Sequence, residues 1–277
     1  MRQLTAAGAS ESLTAKWQRL IDDLTGMGSV VVAYSGGVDS TLLAWAARRA
    51  LGDRMLAVTA STGMDPQAQV RASAVTAEAL GIPHRTVEID ALALPAIRAN
   101  APDRCYHCKA TILARLHELA RAEGYAAVVE GQNIDDEGDY RPGRQAVRRS
   151  GTRSPLAAAG LSKAEVRLLA KAFGLPVWDQ PSTPCLATRI PYGTALDAGT
   201  LAQVEQAEAL LRGLGFRQVR VRHHGSLARI ELPTEDIPAL LQHSQQIGAE
   251  FRRIGFQYTS VDLQGYRTGS MNEELGI

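Results

Sequence analysis

Six consecutive residues, Ser35–Gly36–Gly37–Val38–Asp39–Ser40, have the types and spacing that hold a phosphate. The run Val30–Val31–Val32 leads into them and reads as a buried parallel strand. The apolar, alanine-rich stretch after them, with Leu42, Leu43, Trp45 and Ala46, reads as a helix. A strand, a glycine turn and a helix N-terminus aim unpaired N–H groups and the positive end of the helix dipole at an anion. Glycine lets the backbone approach that anion closely. The stretch is not a Walker A loop, because no lysine follows the glycines at the required spacing. A plain structural turn is the competing reading.

The three cysteines form a second constellation. Cys105 and Cys108 stand in Cys-Tyr-His-Cys, and Cys185 lies in Ser182–Thr183–Pro184–Cys185–Leu186–Ala187–Thr188–Arg189. Both segments read as polar loops. A closed structural zinc site wants four ligands, and His107 inside the pair is strained as the fourth. A redox disulfide lacks the usual context of a motif directly after a strand. An iron–sulfur cluster on two near thiolates and one distant one leaves one iron open to an exogenous ligand such as sulfide. Buried small residues are the bland reading. Cys185 alone also suits a nucleophile or sulfur carrier, with Arg189 four residues on to favour its thiolate.

Positioning these groups requires a sheet. Residues 12–25 read as an amphipathic helix ahead of the first strand, and Met55–Ala60 as a second strand. A helix carrying Val70, Ala74, Ala77 and Leu80 follows, then a strand at Arg85–Ile89, a helix over 108–123 and a strand at Ala126–Glu130. That alternation predicts an α/β fold with a parallel sheet and helices on both faces. Ligands then sit beyond the carboxyl ends of the strands, where Ser35, Ala60 and Gly131 fall. Residues 132–155, rich in arginine, read as a long functional or mobile loop. Ser162–Lys163–Ala164–Glu165 reads as a capping box opening a helix that ends near Gly174. Composition puts a domain boundary at about residue 195, dividing 1–195 from a small α+β domain over 196–277. That second domain is predicted as a helix with Leu201, Val204, Ala207, Leu211 and Leu214, a hairpin at 219–232, a helix near 235–248 and a strand at Tyr258–Leu263.

The bulk numbers agree with an enzyme of small molecules. The 277 residues suit roughly two domains. A net charge of +1 argues against nucleic-acid binding through bulk charge, and 45% apolar residues suffice for a full core. No apolar run approaches the roughly 18 residues of a membrane span, and Met1–Arg2–Gln3–Leu4–Thr5 opens no signal-peptide core. Three cysteines do not make a secreted disulfide framework. The expectation is a soluble, cytoplasmic protein.

Ser-Gly-Gly-Val-Asp-Ser in this context resembles the PP-loop of the ATP pyrophosphatases, whose adenine nucleotide alpha hydrolase-like domain releases pyrophosphate while adenylating a substrate oxygen. Further stretches narrow the resemblance: the Gly131–Gly143 segment, Ser154–Pro155–Leu156, Cys185–Gly193 and Gly265–Glu273, read as Gly-Tyr-Arg-Thr-Gly-Ser-Met-Asn-Glu. Together they resemble the LarE family, PP-loop sulfur transferases that build the nickel-pincer nucleotide cofactor of lactate racemase. The resemblance implies that ATP adenylates a carboxylate of pyridinium-3,5-biscarboxylic acid mononucleotide and that a sulfur nucleophile displaces AMP. The second carboxylate follows. Some members sacrifice the sulfur of one cysteine at the Cys185 position; others hold a 4Fe-4S cluster on three cysteines and pass on its bound sulfide. Cys105, Cys108 and Cys185 match the cluster type, which needs a sulfide donor, and the family suggests a hexamer.

Roles follow from the match. Ser35, Gly36, Gly37, Asp39 and Ser40 are expected to cradle the pyrophosphate end of ATP, with Mg²⁺ screening its charge. Thr59, Ala60 and Ser61 border adenine and ribose, Gly131 and Asn133 close the nucleotide site, and Asp135 or Asp136 meets the metal. Lys109 stabilises charge on the transferring phosphoryl group or the acyl-adenylate, and Glu208 resembles a position near the reacting site. A phosphate and two carboxylates call for arginines, and Arg189, Arg220, Arg222 and Arg267 are the candidates. Arg220 and Arg222, two apart on a strand, share a face. Three rival readings are a PP-loop tRNA thiolase served by the arginine loop, a nitrogen-transferring ligase that leaves the cysteines unexplained, and a non-catalytic redox sensor.

Overall fold

The computed structural model describes residues 11–138 and 142–267. They group into two compact units. The first takes the residues up to Thr62, Gln67–Asp90 and Cys105–Thr183; the second takes Gly63–Pro66, Ala91–Arg104 and everything described from Pro184 onward. Residues 184–195 therefore group with the second unit, upstream of the position where composition shifts. No helix among the described residues is long and apolar enough to cross a membrane.

The first unit opens with helix α1 (Glu11–Met27) and strand β1 (Val30–Ala33), followed by α2 (Val38–Leu51), β2 (Met55–Ser61), α3 (Gln67–Ala79) and β3 (His84–Glu88). Helix α4 (Arg104–Glu123), strand β4 (Ala127–Glu130), α5 (Pro142–Ser150) and α6 (Lys163–Ala172) complete it. The strands are all parallel, in the order β3-β2-β1-β4. Alternation along β1 explains its unbroken apolar run. Val30 and Val32 face a core built with Leu20, Leu24, Leu42, Leu43 and Leu169, whereas Val31 faces the other side, against Leu113 and Leu116 of α4. A strand covered on both faces has no position for a polar side chain. Each such side chain, fully buried, contributes about 1.5–3 kcal/mol. The order of strands reverses between β1 and β4, and that switch point is where doubly wound sheets open a crevice.

In the first unit two segments differ from expectation. Residues 142–150 are a helix, not a loop: Pro142 starts α5, and Ala146 and Val147 are buried. Proline pre-sets the dihedral of a first helical turn, and two adjacent apolar residues were too little period to read. The helix expected from residue 108 likewise begins at Arg104, so Cys105 lies on α4, in its first turn, rather than in a loop, with Cys108 one turn on. The capping box is as expected, with Glu165 N donating to Ser162 Oγ at 3.2 Å and Ser162 N donating to Glu165 Oε2 at 2.9 Å.

The second unit has helix α7 (Ala198–Gly213), a β5–β6 hairpin (Arg220–His224, Leu227–Glu231), helices α8 (Ile237–Gln242) and α9 (Ser244–Ile254), and strand β7 (Tyr258–Val261). The single helix expected near 235–248 is thus two, parted at His243. β6 pairs antiparallel with β5 and parallel with β7, and Ala207, Leu211, Val221, Ile230 and Phe251 form the core.

Candidate active site

In the first unit the glycine turn sits at the carboxyl end of β1. Gly36 has φ 74°, and a Cβ there would lie 2.7 Å from Ser73 Cβ and 3.1 Å from its Cα, so only glycine fits between β1 and α3. Ser40 Oγ donates to Gly37 O at 3.1 Å and lies 3.1 Å from Ser35 Oγ, closing the turn on itself. Gly37 is the N-cap of α2 and supplies no side-chain cap, which leaves the first-turn N–H groups directed at the crevice. At the end of β4, a Cβ on Gly131 would lie 2.9 Å from Ser40 N and 3.1 Å from Asp39 C. β4 and the α2 N-terminus meet there with no room for a side chain.

A polar cluster closes round Asp39. Its Oδ1 accepts from Asn133 Nδ2 at 3.0 Å, and its Oδ2 takes the Lys163 ammonium. Asp135 Oδ2 accepts from Lys163 N at 2.8 Å, and Asp136 Oδ2 from Asn133 N at 3.2 Å. The structure therefore brings the expected Asp39, Asn133, Asp135 and Asp136 together, and adds Lys163, which the sequence reading passed over as a capping-box residue. A cleft of about 180 Å³ beside them is lined by Ser35, Gly37, Asp39, Gln69, Lys163 and Arg167, with residues 180–183 forming one wall.

Thr59 is buried and committed to neighbours, 2.8 Å from His84 Nε2 and 3.2 Å from Ser73 Oγ. Ser61 is buried and Ala60 half-buried. Burial holds the His84 imidazole below its ordinary pKa, so the ring is neutral at pH 7 and supports α3 through Thr59.

α4 runs back along the sheet into β4, which puts its first turn at the carboxyl edge. Lys109 Nζ lies 3.3 Å from Glu130 Oε2 at the end of β4, and Glu130 Oε1 accepts from Ser154 Oγ at 2.6 Å. Cys105 and Cys108, one turn apart on the same face of that helix, share this edge with the glycine turn. Arg149 of α5 donates to the hydroxyl of Tyr106, between the two cysteines, at 3.0 Å. All three cysteines are half-buried thiols. Two thiolates one helical turn apart suit two ligands of one metal centre. Among the described residues no group of three or more His, Cys, Asp or Glu side chains gathers as a metal site.

In the second unit Cys185 precedes a short 3-10 turn, Leu186–Arg189, and Leu186 N donates to Met64 O at 2.7 Å. Arg189 is fully buried and every nitrogen is engaged. Nε and Nη2 donate to the two oxygens of Glu208 at 2.8 and 3.0 Å, and Nη1 donates to Pro184 O, Cys185 O and Thr188 Oγ1 at 2.8–3.0 Å. Arg189 thus positions the Cys185 loop through its carbonyls. Glu208, also fully buried, accepts besides from Val221 N at 3.2 Å and from Arg212. Burial acts to raise the Glu208 carboxyl, but Arg189, Arg212 and Arg220 outweigh it and hold it below the usual range. Arg222 donates to Thr188 O at 2.8 Å and Glu231 Oε2 at 2.7 Å. Arg220 lies over the Tyr266 ring at 5.4 Å, and burial, followed by repulsion from Arg189, lowers its guanidinium pKa. Arg267, partly exposed, stands 3.8 Å from Asp262. Its motif runs on through Glu273, and residues 268–273 lie outside the described residues, as does Arg141 of the arginine stretch. Asn100 and Arg104 gave no signal in the sequence. Asn100 has φ 55° and donates to Pro191 O at 2.9 Å; Arg104 donates to Ala187 O at 3.1 Å and pairs with Asn100.

The NAD synthase family model matches residues 16–121, the stretch that holds the glycine turn. An uncharacterized protein of Synechocystis sp. is 42% identical over 95% of this chain and 99% of its own length. A GMP synthase (glutamine-hydrolyzing) of Aeropyrum pernix is 30% identical over 66% of this chain and 39% of that enzyme. The pyridinium-3,5-bisthiocarboxylic acid mononucleotide synthase of Lactiplantibacillus plantarum is 38% identical over 95% of this chain and 96% of that enzyme. Because that match runs through both compact units, the chain belongs to the pyridinium-3,5-bisthiocarboxylic acid mononucleotide synthase family, the LarE family of PP-loop sulfur transferases.

Proposed function

We propose that this chain uses ATP to convert the carboxylates of pyridinium-3,5-biscarboxylic acid mononucleotide into thiocarboxylates, releasing AMP and pyrophosphate. The observation that carries the reading is the glycine turn at the β1–β4 switch point, packed against Gly131 and sharing the sheet edge with Cys105, Cys108 and Lys109. The uncapped α2 N-terminus, with Ser35, Gly36, Gly37, Asp39 and Ser40, receives the ATP phosphates, and Asp135 or Asp136, in the cluster round Asp39, would hold Mg²⁺. A carboxylate oxygen of the substrate attacks the α-phosphorus, and pyrophosphate leaves. Lys109, on the same edge, offsets the charge of the acyl-adenylate, and Glu130 and Ser154 hold its ammonium in place. A sulfur nucleophile then displaces AMP.

Cys105, Cys108 and Cys185 are the thiolates assigned to a 4Fe-4S cluster in this reading, and Arg189 fixes the loop of the third. When bound, the cluster supplies an iron without a protein ligand, at which sulfide from an external donor is held. Arg220 and Arg267 are assigned to the substrate phosphate in this reading, while Arg189 and Arg222 hold the buried carboxylates Glu208 and Glu231. The test is iron and acid-labile sulfide on protein purified without oxygen, with each cysteine changed to alanine. About four irons per chain, lost in Cys105→Ala, Cys108→Ala and Cys185→Ala alike, is the expected result. No iron after anaerobic reconstitution, with Cys185 losing the elements of H₂S on turnover, overturns the cluster and leaves Cys185 as a sacrificial donor.

A further inference from the structure

Within the second unit, buried side chains grip the loop that carries Cys185 from two sets of residues. Arg189 and Arg222 take the carbonyls of Pro184, Cys185 and Thr188, and they pair with Glu208 and Glu231. The other hold comes from residues 98–104, which the proposed reaction leaves without a role. Asn100 Nδ2 donates to Pro191 O at 2.9 Å, Gly193 N donates to Asn100 O at 3.0 Å, and Leu196 N donates to Arg98 O at 2.8 Å. Arg104 uses one nitrogen, Nη1, twice: it donates to Ala187 O at 3.1 Å and pairs with Asn100 Oδ1. Its guanidinium also lies 5.7 Å from the centre of the Tyr192 ring. Asn100 and Arg104 are both fully buried. A guanidinium is expensive to desolvate, so it persists in such a place only where its hydrogen bonds are used. Arg104 is also bonded directly to Cys105, and the chain passes from the second unit to the first at that peptide. Consecutive Cα atoms stand about 3.8 Å apart, so whatever holds Arg104 also holds the start of Cys105.

We infer that Arg104 is a positioning residue for sulfur transfer: with Asn100 it ties the Cys185 loop to the backbone that begins Cys105, and so fixes the point from which the third thiolate reaches a cluster. This deepens, and rests on, the three-cysteine reading above. The hold is on the backbone of residues 187–193, through the Ala187 and Pro191 carbonyls and the Gly193 amide. Asn100 is suited to its part because it keeps φ at 55°, a left-handed conformation that asparagine tolerates, while its side chain and its carbonyl both bond the loop.

Alkylation by iodoacetamide tests the assignment, on the full chain loaded with iron and sulfide without oxygen and read cysteine by cysteine by mass spectrometry. In wild type, loading slows the alkylation of all three cysteines. In Arg104→Met the loaded Cys185 alkylates about tenfold faster than in loaded wild type, the scale of one lost buried hydrogen bond, while Cys105 and Cys108 stay within about threefold. Asn100→Gly keeps the left-handed backbone and removes only the side chain, and it gives the same split with a gain of about threefold or more. If Arg104→Met does not melt cooperatively, Asn100→Gly alone decides. In a variant that melts like wild type, Cys185 as slow as in wild type, or an equal loss of protection at all three cysteines, overturns the inference. Loading that protects no cysteine in wild type defeats the cluster reading itself, and the inference falls with it.

Discussion

Glu208→Gln probes the most heavily charged part of the second unit. The substitution keeps the shape of the side chain and removes its charge. Arg189, at zero exposure, then faces no anion, and Arg212 and Arg220 lose the same countercharge. Breaking a buried pair by removing one partner costs about 3–5 kcal/mol, because the other charge stays desolvated. At 1.4 kcal/mol per factor of ten, that is more than about a hundredfold in a local opening equilibrium. Hydrogen exchange read peptide by peptide is the suitable assay, since all three tryptophans (Trp17, Trp45, Trp178) lie in the first unit and fluorescence would miss the event. Peptides covering 184–193 and 219–231 should lose protection by that factor. The thiol of Cys185 should react faster with an alkylating reagent, because Arg189 no longer holds its carbonyl. Replacing both partners with apolar residues should cost less than either single change, as double-mutant cycles measure for coupled groups. A loss below about fivefold in Glu208→Gln would mean that the cluster is not desolvated.

Two further outcomes follow from close packing and burial. Gly131→Ala drives a Cβ into the backbone of Asp39 and Ser40, so it should destabilise the first unit by about 1–3 kcal/mol and weaken ATP binding, read by thermal melting and calorimetry; unchanged values would mean that β4 and α2 are not in contact. His84 has a folded-state pKa pushed below the unfolded value near 6.5 by burial, so its contribution to stability is present above that pH and is lost as pH falls through the folded value; an imidazole proton resonance titrating at or above 6.5 would contradict this.

Much of the first unit was legible because its signals are local. Val30–Val32 read as a doubly covered strand, and Ser162 with Glu165 read as a helix start from their spacing alone. The glycines at 36 and 131 were legible as types, and the structure supplies the reason: backbone and Ser73 crowd the places where their Cβ atoms would stand. The first turn of α4 was not legible, because Cys-Tyr-His-Cys carries no apolar period. Partnerships across long separations were also hidden. Lys163 meets Asp39 across 124 residues, and Arg189 finds Glu208 only once α7 packs on its 3-10 turn. Arg220 and Arg222 do share a face, but hairpin register decides what that face meets. Arg220 stands opposite Glu231, and Arg222 reaches the same carboxylate diagonally. A motif of two arginines thus looked like a substrate claw where one of them is a strut.

In the proposed reaction, ATP cleavage and sulfur transfer are coupled at the edge shared by the glycine turn and the cysteine pair. Pyrophosphate and thiocarboxylate, counted in the same anaerobic vessel, test it most directly. One pyrophosphate and one AMP are expected for each carboxylate converted, and neither when the dicarboxylate nucleotide is left out. ADP and inorganic phosphate in place of AMP and pyrophosphate, or pyrophosphate released at the same rate without the nucleotide, would contradict it.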